Sequence, residues 1–285
     1  MPFTLDSIAD LPAVITRREA ANAVAAAAFP GVMRIAYGPG EAETFDLYLA
    51  RDASRPAPVQ IFVHGGFWST MRAAQFAFVA PGFVPFGAAL AVIDYPLIPD
   101  ARMADIVASC KRAVAFIAGH AAEYGLDPAR IYVSGNSAGG HLVAELMDSN
   151  RLIKGGTAIS GLYDLAPVAA SFRQEVLGFT DEEVARFSPL RRPPAIAAPL
   201  IVAVGGDETG EFLRQSAGFA AHASAGGAPV EHIVVPATNH ITVVLDAFAN
   251  PDAPLNSAVR RQMGARPSLG GLSAHYEPRP HEAVG

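Results

Sequence analysis

The chain has 285 residues, 51% of them hydrophobic and 17% charged, with a formal net charge of −6. That apolar content supplies a sizeable core and excludes a disordered chain. The acidic balance excludes nucleic acid as the main partner, because phosphate binding needs a dense Lys/Arg surface.

The length fits one large domain, read here as residues 1–263. Arg17-Arg18 and the apolar run Ala20 to Phe29 superficially resemble a signal peptide. The run is poor in Leu, Ile and Phe and starts far from Met1, so a surface helix and a cytoplasmic location are expected. No run of about 18 uncharged apolar residues occurs, so no transmembrane helix and no membrane partner are expected. Two β-rich runs follow, Val32 to Tyr37 and Thr44 to Leu49. The turn signal Gly38-Pro39-Gly40 between them predicts an antiparallel hairpin.

Six further runs are Val59 to Val63, Ala89 to Ile93, Ile131 to Ser134, Thr157 to Ser160, Leu200 to Val204 and Val230 to Val235. Their near-continuous hydrophobicity suits strands buried on both faces. Between them lie helical patterns at Met103 to Tyr124, Ser137 to Met147 and Glu211 to Ala225, the last stopped by Gly226-Gly227. Alternating strands and helices predict an α/β fold: a mostly parallel eight-stranded sheet with an antiparallel start and helices on both faces. The single cysteine, Cys110, lies in an apolar helical pattern and reads as a buried thiol. The segment 161–199 reads equally as a lid insertion or as a plain helical crossover with a Pro-rich loop. Residues 264–285 have the composition of a flexible tail.

The chemistry is carried by Ile131-Tyr-Val-Ser-Gly-Asn-Ser-Ala-Gly-Gly-His. A strand running into Gly135-x-Ser137-x-Gly139, with a helix after it, is a nucleophile elbow: the serine sits on a sharp turn that only small neighbours permit. His64-Gly65-Gly66-Phe67-Trp68 follows another strand and offers backbone N–H groups to an oxyanion. Gly66, Phe67 and Ala138 are the expected donors, with Gly65 as a substitute for the loop. The expected substrate pocket comprises His64, Gly65, Trp68, Asn136 and Tyr163. Trp68 reads equally as wall or packing, and His64 as a brace of the loop rather than a base.

A serine needs a histidine base. Of eight histidines, His275 and His281 lie in the tail, His120, His141 and His222 in helical patterns, and His232 in a strand. His240, in a polar loop after the last strand, is the candidate. The carboxylate that orients it is expected to be Asp207, after the strand Leu200 to Val204. Glu208 and Asp164 are its competitors. The chain order Ser137, Asp207, His240 is that of the α/β-hydrolase fold. No metal-binding or nucleotide-binding pattern competes, so no cofactor or metal is expected.

The two motifs together resemble the arylformamidase (kynurenine formamidase) branch of the α/β-hydrolases, close to the hormone-sensitive-lipase-like esterases. Asp94-Tyr-Pro-Leu-Ile-Pro, Ser160-Gly-Leu-Tyr-Asp-Leu, Gly205-Gly-Asp-Glu-Thr-Gly-Glu-Phe and Asn239-His240 extend the resemblance across residues 30–263. It implies a small-molecule ester or amide substrate and a homodimer. The loop departs from the esterase form His-Gly-Gly-Gly, and bulky Phe67 and Trp68 suit a small acyl group such as formyl or acetyl. The expected activity is a small-acyl amidase or esterase, which the resemblance implies is an arylformamidase acting on N-formylkynurenine or a related aryl formamide. The alternatives are a general short-chain carboxylesterase, a carbamate or xenobiotic ester hydrolase, and a non-catalytic binding protein on the same fold.

Overall fold

The structure, a computed structural model, describes residues 3–5, 8–50 and 56–265. Helix α1 (Leu11–Ala28) precedes strands β1 (Val32–Ala36), β2 (Thr44–Tyr48), β3 (Ala57–Val63) and β4 (Ala89–Ile93). Helix α2 (Met103–Gly119), β5 (Leu126–Asn136), α3 (Ala138–Met147) and β6 (Ile153–Ile159) come next. Three short helices follow, α4 (Ala166–Ala169), α5 (Gln174–Leu177) and α6 (Asp181–Arg186), then β7 (Leu200–Gly205), α7 (Gly210–Ala225), β8 (Val230–Val235) and α8 (Pro254–Met263).

The eight strands form one sheet in the order β1-β2-β4-β3-β5-β6-β7-β8. Strand β2 runs antiparallel to both β1 and β4, and every other pairing is parallel. This is the expected architecture, with all eight predicted strands in place. Side chains of the central strands alternate between two cores, as a period of two requires. Val59, Ile61 and Val63 pack with Ile106 of α2, Leu142 of α3 and Phe219 of α7. Phe62, Leu90 and Val92 face the other way, onto Ala25 of α1, Phe248 and Leu255 of α8. Both faces are covered, which is why these strands read as unbroken apolar runs.

Two regions escape the periodic pattern. Residues 73–86 form three 3-10 turns interrupted by Pro81 and Pro85, and Val243–Phe248 forms a π-turn. Short turns of this kind have no 3.6-residue repeat to read. The β6–β7 connection carries three short helices, α4, α5 and α6. Thr180 caps α6 through a reciprocal bond set with Glu183. The predicted tail falls almost wholly in residues 266–285, outside the described residues.

Candidate active site

Parallel strands end on one edge of the sheet, and the loops leaving β3, β5, β7 and β8 meet there. Val63 pairs with Gly135, Asn136 with Ile159 and Gly205 with Val235. Hence the His64-Gly65-Gly66 loop, Ser137, the Gly205–Glu208 turn and the His240 loop all leave the sheet at the same level.

Ser137 has φ 59° and ψ −120°, the strained conformation of a nucleophile elbow. The turn is held by Ser137 N–H donating to Ile159 O (2.9 Å). Its neighbours are small by necessity. A Cβ on Gly139 would stand 2.0 Å from Val63 O, and one on Gly65 would stand 3.2 Å from Ser137 Cβ. The β3 loop therefore lies directly against Ser137.

That loop is left-handed at three successive residues, Gly66 (φ 102°), Phe67 (48°) and Trp68 (55°). Such a run curls the backbone and turns N–H groups toward one side. Among the described residues the N–H groups of Gly66 and Phe67 have no protein acceptor. Ala138 begins α3, where an N–H has no intrahelical acceptor and the helix dipole is positive. Gly66 and Phe67 follow Gly65, which adjoins Ser137, and Ala138 is the next residue after that serine.

The carboxylate is where the structure corrects the expectation. Glu208, not Asp207, holds the histidine: His240 Nδ1 lies 2.6 Å from Glu208 Oε2. Asp207 is exposed, and its backbone N–H donates to Thr238 O (2.9 Å). With that N–H turned to the histidine loop, the Asp207 side chain faces out and the next residue faces in. Glu208 also has the extra methylene needed to reach across the turn. Its other oxygen accepts from Ser160 Oγ and from Gly205 N–H (2.8 Å), so the buried carboxylate has three donors. Asp164, the other competitor, pairs with Arg191 at 2.8 Å instead. The His240 ring is steadied by Phe212, with centroids 4.3 Å apart. Among the described residues no hydrogen bond joins His240 Nε2 to Ser137 Oγ, and catalytic contacts of this kind commonly tighten only on substrate binding.

The expected pocket residues divide. Gly65 and Asn136 adjoin Ser137. His64, Trp68 and Tyr163 are fully buried and support the site from within. His64 stacks on Tyr95 (4.4 Å between centroids), and Tyr95 Oη donates to His64 O (2.8 Å). Ile98 N–H donates to Trp68 O (2.8 Å), while the Trp68 ring meets His141 and Phe179 edge-on. The Asp94-Tyr-Pro-Leu-Ile stretch thus works as a clamp on the oxyanion loop. Tyr163 stacks on Phe219 of α7 at 4.0 Å, too deep to meet substrate. Its loop is pinned by Gln215, whose Oε1 accepts from the N–H groups of Tyr163 and Asp164. Ser160 and Gln215 are supporting residues the sequence reading missed. Ser160 opens the Ser160-Gly-Leu-Tyr-Asp-Leu motif, but nothing in its spacing points to the acid.

Below the loop, His141 is buried with Nε2 2.8 Å from Phe187 O. Burial lowers its pKa from 6.5 to about 4. Glu145, one turn along α3, is raised from 4.5 to about 7 by burial despite its pair with Arg192. This cluster ties α3 to the chain after α6. Among the described residues no three of His, Cys, Asp and Glu stand together so as to hold a metal ion. A hollow of about 390 Å³ lined by Pro199, Val230 and Arg261 lies at the amino ends of β7 and β8, the edge opposite Ser137.

With this geometry in hand, the comparisons with known proteins are specific. The prolyl oligopeptidase family matches residues 107–252, just over half the chain, and so includes the elbow, Glu208 and His240. The chain belongs to the prolyl oligopeptidase family. The BD-FAE family also matches, over residues 45–153, which contain the oxyanion loop and Ser137. Kynurenine formamidase of Salmo salar is 28% identical over 82% of this chain and 82% of its own length. Kynurenine formamidase of Danio rerio is 28% identical over 75% of each. Among solved structures, a protein assigned as a thioesterase from Silicibacter sp. TM1040 superposes with a TM-score of 0.77 at 27% identity, covering 88% of this chain and 94% of that one. The carboxylesterase EstE1, from a metagenomic library, shares the fold, with a TM-score of 0.67 at 18% identity over 90% of this chain and 97% of its own. This member of the family is an α/β-hydrolase of the formamidase and esterase branch, an enzyme that hydrolyses ester or amide bonds. Among the described residues no helix is long and apolar enough to cross a membrane.

Proposed function

We propose that the chain cleaves a small-acyl aryl amide or ester, in the manner of an arylformamidase, through a Ser137–His240–Glu208 triad and an acyl-enzyme. The observation that carries the reading is the His240–Glu208 bond on the sheet edge that also presents the Ser137 elbow and the His-Gly-Gly loop. A carboxylate on Nδ1 keeps the proton there and leaves Nε2 free to accept one.

In the first step Ser137 Oγ attacks the carbonyl carbon and its proton passes to His240 Nε2. Negative charge gathers on the carbonyl oxygen, facing the N–H groups of Gly66, Phe67 and Ala138. Each such donor is worth roughly 3 kcal/mol in the transition state. His240 then gives its proton to the departing amine or alkoxide. Water, deprotonated by the same histidine, releases the small acid and restores Ser137. Phe67 in place of the third glycine of the esterase loop supports a small acyl group such as formyl or acetyl over longer chains.

A short-chain carboxylesterase is the second reading. It is favoured by a 36% identity over 110 residues to a protein described as a probable isoprenylcysteine alpha-carbonyl methylesterase of Arabidopsis thaliana, which covers 39% of this chain. One panel separates the two. An N-formyl aryl amide turned over with kcat/KM well above that of p-nitrophenyl acetate supports the formamidase, and the reverse ranking supports the esterase. Ser137→Ala should abolish both activities and block labelling by a fluorophosphonate probe. Wild-type turnover by that variant would exclude the triad.

A further inference from the structure

The chain ahead of α1 reaches the histidine of the candidate triad through one aromatic contact. Phe3 is only 2% exposed and belongs to the core that also holds Val63, Phe212 and Phe219. Its ring meets Phe212 edge-on, with centroids 5.8 Å apart and planes at 84°. Phe212, in the first turn of α7, is itself buried and lies across the His240 imidazole at 4.3 Å, tilted by 33°. Phe3, Phe212 and His240 thus form one continuous series of rings, in the edge and tilted arrangements that aromatic quadrupoles favour.

That series supplies what the hydrogen bonds do not. Among the described residues the imidazole has one hydrogen bond, from Nδ1 to Glu208. A single bond fixes where Nδ1 sits but leaves the ring free to swing about it, and the swing moves Nε2, the atom that must meet Ser137. The face of Phe212 sets the plane of the ring, and Phe3 fills the space into which Phe212 would otherwise relax. The segment carrying Phe3 is tied down as well. Ile8 is buried, and its N–H donates to Leu5 O (2.9 Å). In α1, Arg17 bonds both carboxylate oxygens of Asp246 (2.9 and 2.7 Å), in the turn that follows His240, and Asn22 Nδ2 donates to Ala74 O (2.9 Å). The chain ahead of β1 therefore touches the support of His240 at Phe212 and the turn that continues from His240 at Asp246.

We propose that Phe3 is a positioning residue for His240, acting through Phe212 to hold the imidazole plane at which Nε2 can take the Ser137 proton. The assignment rests on the triad reading above. The test measures p-nitrophenyl acetate turnover, the rate of fluorophosphonate labelling and the His240 Nδ1 proton resonance in the wild type, Phe3→Ala, Phe3→Leu, Phe212→Leu and the Phe3→Ala/Phe212→Leu double variant, all well below their melting transitions. Phe3→Ala should lose roughly 10-fold in kcat with KM within about twofold, inside the 10²-fold that a misplacement of about 1 Å can cost. Labelling should slow in parallel, because it needs the same proton transfer. The Nδ1 proton, bonded to a buried carboxylate, should give a sharp downfield signal in the wild type and a broadened one in Phe3→Ala. Phe3→Leu, which keeps most of the apolar volume, should recover most of the kcat. Phe212→Leu should lose kcat as Phe3→Ala does, and adding Phe3→Ala to it should cost less than about threefold more, since both act through one contact. Wild-type kcat and an unbroadened signal in folded Phe3→Ala overturn the assignment, and so does full additivity in the double variant. Wild-type kcat in Phe212→Leu overturns it whether or not Phe3→Ala folds. A wild type that neither turns over the ester nor takes the label overturns the triad reading and this assignment with it.

Discussion

Replacing Glu208 by Gln isolates the one contact on which the proposed triad depends. One carboxylate oxygen accepts from Gly205 N–H and Ser160 Oγ, the other from His240 Nδ1. A glutamine of the same shape must place its NH2 at one of these positions. Facing Gly205 N–H it would set donor against donor, so the NH2 turns toward His240. The imidazole then has to accept at Nδ1 and carry its proton on Nε2, where it cannot take the Ser137 proton. The analogous carboxylate-to-amide change in another serine hydrolase costs about 10⁴ in kcat, or about 5 kcal/mol in activation free energy. We expect Glu208→Gln to lose a factor of that order on p-nitrophenyl acetate while its melting temperature stays near that of the wild type. Asp207→Asn should stay within about twofold, because its side chain is exposed and unbonded to His240. A large loss in Asp207→Asn with activity retained in Glu208→Gln would refute the assignment of the acid.

Three further outcomes follow from the same geometry. Ser160→Ala removes one of the three donors to Glu208, and kcat should fall about tenfold with KM nearly unchanged, as for one lost charge-assisted hydrogen bond. Between pH 6.5 and 4 the unfolded chain protonates at His141 before the folded protein does, so acidification costs about 3 kcal/mol at that residue. Glu145, raised to about 7, acts the other way: its charge is disfavoured by the fold, and that cost is relieved as pH falls from 7 toward 4.5. Glu145→Gln should therefore make urea stability fall more steeply between pH 6.5 and 4.5 than in the wild type, and equal slopes would count against it. Cys110 is fully buried, with its thiol pKa pushed up by desolvation. It should resist iodoacetamide in the native protein at pH 8 and react only in denaturant; rapid native alkylation would show a more open core.

Much of the fold was legible because its signals are local. Unbroken apolar runs such as Val59 to Val63 and Ala89 to Ile93 are strands buried on both faces, and the structure covers both faces with helices. Gly135, Gly139 and Gly65 announced close backbone approach, and a Cβ at any of them meets a neighbouring backbone or Ser137 within 3.2 Å. Less was legible where the pattern is short. The turns at residues 73–86 and 243–248 have no helical period, and the helices α4 to α6 are too brief to show an amphipathic face.

Sequence alone singled out Ser137 and His240 as candidates, because each stands after a strand whose own residues identify it. It also determined that an acid follows β7. Which acid was decided by tertiary structure. Asp207 and Glu208 are adjacent, share a charge and differ by one methylene, so neither spacing nor composition separates them. The choice is made by Thr238 O, which takes the Asp207 N–H, and by Ser160 and Gly205, which hold the Glu208 carboxylate against His240. Those partners come from three other places in the chain. The depth of His64, Trp68 and Tyr163 was settled the same way, by Tyr95, His141 and Phe219 packing against them. A local sequence can specify that a side chain is large and apolar, but only the folded neighbours decide whether it lines the pocket or lies beneath it.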